Sequence, residues 1–149
     1  MVRHPLTESN AADITQGWGD SQLTSQGIEE AEKLSNFLKD KSISIIYSSD
    51  LGRCVQTSEI INKALKVRII KEPRLREQNY GKLNNSRLAG KDFNVKNHSA
   101  VPEGGESFLQ MKARVLEYIK KYLPESEDKI LIVTHDGCFR ALLSEALNI

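Results

Sequence analysis

Three short apolar runs, "SISIIYSS", "VRII" and "KILIVT", alternate with stretches of helical period. No other feature of the chain constrains its fold as strongly. The first run is β-branched and reads as a strand. The second is a strand stopped by Pro73. The third is unbroken apolar from Ile130 to Val133 and reads as a strand buried on both faces. Around them, "SQGIEEAEKLSNFLKD" puts Ile28, Ala31, Leu34 and Leu38 on one helical face, with Thr24 as its N-cap. "DLGRCVQTSEIINKAL" is a second helix, with Asp50 as N-cap and Leu51, Val55, Ile61 and Leu65 buried. "ESFLQMKARVLEYIKKYL" is a third, with Phe108, Met111, Val115 and Ile119 inward and Ser107 placed to cap it. "GCFRALLSEALN" is the last. This order predicts an α/β fold, a three-layer sandwich whose central, mostly parallel sheet is flanked by helices. One domain over residues 1–149 is expected, with an irregular, polar cover segment at about 81–106.

Composition removes several function classes. A formal net charge of +1 gives no general nucleic-acid or anionic-membrane surface. No apolar run reaches a membrane span and no leader is recognisable, so a cytoplasmic protein without a membrane partner is the expectation. Cys54 and Cys138 are too few for a disulfide framework or a zinc site, and read as small buried residues. With only three histidines, neither a metal nor another cofactor is expected.

The chemistry gathers at strand ends. In a parallel sheet, ligands sit at the carboxyl ends of the strands. The first strand ends in Val2-Arg3-His4, the second runs into Ser48-Ser49-Asp50-Leu51-Gly52-Arg53, and the last ends in Thr134-His135-Asp136-Gly137. One crevice would then hold two histidines and two arginines beside helix N-termini. Arginine forks and helix-start N–H groups suit a tetrahedral anion, with phosphate the natural guest. A neutral imidazole, held unprotonated by a neighbouring arginine, is a good nucleophile toward phosphorus. Arg3, Arg53 and His135 would be donors to the phosphoryl oxygens. Glu77, in a loop after a strand, is placed to be the general acid for the leaving group.

Taken singly, each of these residues has an ordinary reading. Arg3-His4 would be surface decoration, Arg53 a solvated helix residue, Glu77 a loop carboxylate and His135 a satisfied strand-end histidine. Their joint placement carries the chemical reading. Elsewhere the ordinary reading stands: His98 is exposed, Trp18 packs the incoming loop, Arg68, Lys71, Arg74 and Arg76 form a solvated basic run, and Tyr118 to Tyr122 belong to an amphipathic helix.

Six stretches, in order, carry a family likeness: "VRHPLTESN", "QGWGDSQLTSQGIEEAEKL", "IYSSDLGRCVQTSEII", "RLREQNYGKL", "PEGGESF" and "ILIVTHDGCFRALL". The chain resembles the histidine phosphatase superfamily, in its phosphoglycerate-mutase-like branch. The resemblance implies the fold of that branch and a phosphohistidine intermediate on His4. It implies a phosphate pocket of Arg3, Arg53, His135 and Asn10, a backbone contact at Gly17, substrate contacts around Asp136 and Gly137, and Glu77 as proton donor and then base. It implies no metal.

The sequence departs from that family at Pro5 and Asp136, where glycine is usual. Pro5 has no N–H to offer a phosphate. Asp136 would repel one if it faced inward, so it is expected to point away. The first strand and the end at Ile149 are both short of the family pattern, so the ends read as trimmed. The function expected is a metal-independent phosphomonoesterase acting on a small phosphorylated metabolite. A phosphoglycerate mutase, a phosphohistidine protein phosphatase and a non-catalytic phosphate-binding module are the alternatives. The first needs a larger cover than the 26 residues from Gly81 to Glu106. The second generally lacks the acid, and the third needs neither nucleophile nor acid. A homodimer stays open, since a contact between copies would cover short edges.

Overall fold

The computed structural model describes residues 1–88, 93, 94, 96–123 and 129–148. Four strands, β1 (Val2–Arg3), β2 (Ile43–Ser48), β3 (Arg68–Lys71) and β4 (Lys129–Thr134), form one sheet in the order β1-β4-β2-β3. Every pairing in it is parallel. Helices α1 (Glu8–Ala11), α2 (Ser25–Leu38), α3 (Gly52–Leu65), α4 (Phe108–Tyr122) and α5 (Asp136–Leu147) complete the regular structure, with 3₁₀ turns at Pro73–Leu75 and Gly81–Leu83.

The period-2 rule for strands sorts the core into two faces. Ile46, Leu131 and Val133 turn toward Leu38 of α2 and Cys54 and Ile61 of α3. Their neighbours Ile45, Tyr47, Ile130 and Ile132 turn the other way, toward Leu75 and Tyr118 of α4. Leu23, Ala31 and Ile60 seal α2 against α3, and Met111, Val115, Cys138 and Ala141 seal α4 against α5. The result is the expected sandwich of helices, parallel sheet and helices. Both cysteines are buried and free, as read from the sequence. No helix among the described residues is long and apolar enough to cross a membrane.

Two caps follow the local chemistry. The Thr24 side chain accepts from the Gly27 N–H, and Ser107 forms a full capping box with Gln110. The α3 reading is corrected. Its N-cap is Leu51, with no capping side chain of its own. The Asp50 carboxylate instead binds Arg76, at 2.7 and 2.6 Å. The donors at the start of α3 are taken by Asp20, which accepts from the Gly52 and Arg53 N–H groups. The inward face of α3 is also rotated: Arg53, Cys54, Thr57, Ser58, Ile60 and Ile61 are buried, while Val55 and Leu65 are only half-buried. The solvated basic run is corrected in part, because Arg74 pairs with Glu72 and stacks on Tyr118 and Tyr122. Of the cover segment, residues 89–92 and 95 lie outside the described residues, as does Ile149. Its described parts are irregular apart from the turn at Gly81–Leu83.

Candidate active site

Parallel pairing puts the carboxyl ends of β1, β2 and β4 side by side, and the residues that follow them form one cleft of about 290 Å³. Arg3, His4, Asn10, Gln16, Gly17, Arg53, Glu77 and Asp136 are all among its walls. Of the residues expected from sequence, only His135 and Gly137 do not border it.

His4 is nearly buried. Its Nδ1 lies 2.8 Å from the Pro5 carbonyl, which can only accept, so Nδ1 carries the proton. Its Nε2 receives the Arg53 Nε–H at 3.2 Å, which requires a lone pair there. The two contacts fix the same tautomer, with Nε2 as the unprotonated nitrogen. Burial first, then the Arg53 charge, brings the His4 pKa down to about 4. Pro5 thus offers no N–H, but its carbonyl sets the state of the neighbouring imidazole.

Arg53 is held rigidly. Its guanidinium is buried and donates to the Gly19 and Gly17 carbonyls at 2.7 and 2.8 Å. Gly17 adopts a left-handed φ of +54°, and a Cβ there would lie 2.1 Å from Asn84 Oδ1. That glycine lets the loop fold over the arginine. Its carbonyl meets Arg53, and it also borders the cleft. Arg3 is exposed at the rim.

Asn10 closes a small network. Its Oδ1 accepts from the Thr7 hydroxyl at 3.0 Å, which leaves its NH₂ as the end available to a ligand. The Thr7 hydroxyl accepts in turn from Gln16 Nε2 at 2.9 Å. Gln16 Oε1 is then buried without a partner, the one such side-chain atom among the described residues.

Glu77 lines the same cleft as His4. Its carboxylate accepts from the Gln78 N–H at 2.9 Å and the Gly137 N–H at 3.1 Å. Burial nevertheless dominates and pushes its pKa up. Gly137 therefore seats the acid, and a Cβ at that position would sit 2.2 Å from Glu77 Oε1. The Glu77 carbonyl accepts from Trp18 Nε1 at 2.8 Å and Arg114 Nη2 at 3.2 Å. Arg114 also donates to the Arg74 and Arg76 carbonyls and pairs with Glu106.

His135 is fully buried behind this front, edge-on to His4 with ring centroids 5.3 Å apart. Its Nε2 lies 2.8 Å from the Ser49 hydroxyl, and burial drives its pKa well down. Asp136 lies at the rim of the cleft with its side chain half-exposed, 3.9 Å from Arg3 and 4.0 Å from Arg140.

Sequence reading missed Gln16, Asp20 and Arg114. The "QGWGD" stretch could have flagged the first two, since a buried loop that crosses a helix start needs polar side chains to satisfy it. Arg114 carries no sequence signal, as it lies on an otherwise ordinary amphipathic helix.

Comparison with known proteins agrees with this fold. The family described as histidine phosphatase superfamily (branch 1) matches residues 1–149. A protein of Proteus mirabilis named probable phosphoglycerate mutase GpmB is 34% identical over 161 residues, covering all of this chain and 74% of that protein. A 2,3-bisphosphoglycerate-dependent phosphoglycerate mutase of Cytophaga hutchinsonii is 32% identical, covering 96% of this chain and 74% of that protein. Among solved structures, Bacillus stearothermophilus YhfR superposes with a TM-score of 0.89 at 28% identity, over 98% of this chain and 77% of that one. The alpha-ribazole phosphatase of Shigella flexneri gives a TM-score of 0.85 at 25% identity, over 99% of this chain and 78% of that one. The chain belongs to the histidine phosphatase superfamily, branch 1.

Proposed function

We propose that the protein is a phosphomonoesterase that hydrolyses a small phosphorylated metabolite through a phosphohistidine on His4, without a metal. One observation carries this reading. His4 presents an unprotonated Nε2, fixed from both ends of its ring, in the same cleft as Glu77 and two arginines.

In the first step His4 Nε2 attacks phosphorus and the bond to the leaving oxygen breaks. Glu77 gives its proton to that oxygen; burial shifts its pKa upward, in the direction that favours the protonated acid. Arg3, Arg53 and the Asn10 amide neutralise and align the phosphoryl oxygens. His135, expected from the sequence as a further donor, lies behind the cleft rather than in it, and we assign it to positioning the nucleophile, against which its ring packs edge-on. Gly17 and Gly137 shape the walls, the second by holding the acid. In the second step Glu77, now a carboxylate, takes a proton from water as the water attacks phosphorus, and His4 leaves neutral.

Water access separates hydrolysis from transfer. Arg3, Asp13 and Asp136 at the rim of the cleft are exposed, and the cover segment holds only 26 residues. Both favour hydrolysis. The relatives named phosphoglycerate mutase favour a second reading, transfer to another hydroxyl. The test is phosphate release from phenyl phosphate with a chelator present, in the protein and in His4→Ala, beside an assay for phosphoryl transfer between phosphoglycerates. Chelator-resistant release that vanishes in His4→Ala supports the hydrolase. Transfer without release moves the reading to the mutase. Binding of phosphate with neither activity overturns both.

A further inference from the structure

The segment that carries Glu77 belongs to no strand, and its only regular structure is the 3₁₀ turn that ends at Leu75. Its carbonyls still need donors, and side chains from other elements supply them. The Leu75 carbonyl accepts from the Thr134 hydroxyl at 2.7 Å. The Arg74, Arg76 and Glu77 carbonyls all accept from one side chain, Arg114 of α4, at 2.8, 3.2 and 3.2 Å. Trp18 Nε1 is a second donor to the Glu77 carbonyl.

An arginine carries five N–H donors in one rigid plane. Three of those on Arg114 meet the carbonyls above. The other two meet the Glu106 carboxylate, from Nη2 at 2.6 Å and from Nε at 3.2 Å. No donor is left over. Glu106 then extends the frame past the acid. Its Oε1 accepts from the Asn79 N–H at 3.0 Å, and its carbonyl accepts from Gln78 Nε2 at 2.9 Å. Its own N–H donates to the Asn79 carbonyl at 2.9 Å. One ion pair, mostly buried, therefore fixes the backbone on both sides of Glu77. Arg114 is not among the residues that border the cleft, so it can reach the chemistry only through this segment.

We propose that Arg114 is a positioning residue for the reaction: paired with Glu106, it holds the Glu77 backbone so that the carboxyl meets the leaving oxygen. The proposal rests on the reading of Glu77 as the acid. Its consequence is selective. A leaving group that departs as a stable anion needs no proton, whereas an alkoxide does. Loss of Arg114 therefore slows cleavage of alkyl esters far more than cleavage of activated aryl esters. A residue that only supported the fold would slow both alike.

The test compares kcat/KM for two esters of similar size, 4-nitrobenzyl phosphate and 4-nitrophenyl phosphate. Arg114→Met should lose at least about tenfold on the benzyl ester and less than about threefold on the phenyl ester. Both values come from one sample, so their ratio is independent of the fraction folded. Glu106→Gln keeps an acceptor for Asn79 and breaks the ion pair. It should move the ratio the same way by a smaller factor, and it carries the test if Arg114→Met does not fold. Equal losses on the two esters in these variants overturn the proposal. Glu77→Gln is the reference. If its ratio moves and those of the Arg114 and Glu106 variants stay at the parent value, the positioning role alone falls. If Glu77→Gln itself keeps the parent ratio, Glu77 is not the acid, and the catalytic reading falls together with the proposal.

Discussion

Burying two neutral histidines behind the strand ends makes the fold sensitive to mild acid. His4 ionises at about 4 in the folded protein, against 6.5 as an ordinary side chain. The unfolded chain therefore binds a proton below 6.5 that the folded chain refuses. The His4 contribution to stability is full above 6.5 and is lost as pH falls toward about 4. His135 acts in the same direction. Lowering pH from 7.5 to 5.0 should cost about 2 kcal/mol through His4 alone. The paired carboxylates do not confuse this window. Arg76 and Arg74 hold Asp50 and Glu72 below their ordinary 3.8 and 4.5, so their loss begins only at lower pH. Glu77 works the other way: its raised pKa lets the folded state gain a proton first, so acid relieves its burial. Glu77 is common to both proteins compared. The assay is urea unfolding at pH 7.5 and 5.0 in the protein and in His4→Gln, where glutamine keeps an acceptor for Arg53 but cannot titrate. The parent should lose about 2 kcal/mol more than the variant. If both lose the same amount, His4 is not buried as a neutral ring and the reasoning fails.

Three other outcomes follow from the same geometry. Gly137→Ala places a Cβ against the Glu77 carboxylate, so kcat should fall at least about tenfold with little change in Tm; an unchanged kcat would mean that Glu77 is not the acid. Asp20→Ala removes the acceptor at the start of α3 and should cost about 1 to 2 kcal/mol in denaturant unfolding. The pH profile of kcat/KM should rise through about 4 as His4 loses its proton and fall as Glu77 loses its own, and Glu77→Gln should remove the falling limb.

Much of the fold is legible in the sequence because each signal is local. "KILIVT" is legible as a strand because it is a short, β-branched apolar run, and Thr24 and Ser107 cap the helices they directly precede. Arg3, His4, Arg53 and Glu77 could be brought to one place because a parallel sheet aligns its strand ends. The failures share a cause, which is distance along the chain. Asp50 has the right residue type and place for a cap. Asp20, 32 residues earlier than Gly52, takes the donors instead, because the loop over Arg53 brings it there. Asp136 sits at the rim of the cleft between Arg3, from the first strand, and Arg140, one turn along α5, a pairing that only the folded chain brings together. Gln16 and Arg114 act through backbone carbonyls and a hydroxyl from other segments, which no local pattern announces.

The central claim is that His4 Nε2 carries the phosphoryl group. The direct measurement is a rapid acid-free quench during turnover of phenyl phosphate, followed by mass mapping of the phosphorylated residue and its stability in acid and alkali. The account predicts a phosphoryl group on His4 that survives alkali, is lost in acid and is absent from His4→Ala. Turnover with no adduct at His4, or with an acid-stable adduct on another residue, would contradict it.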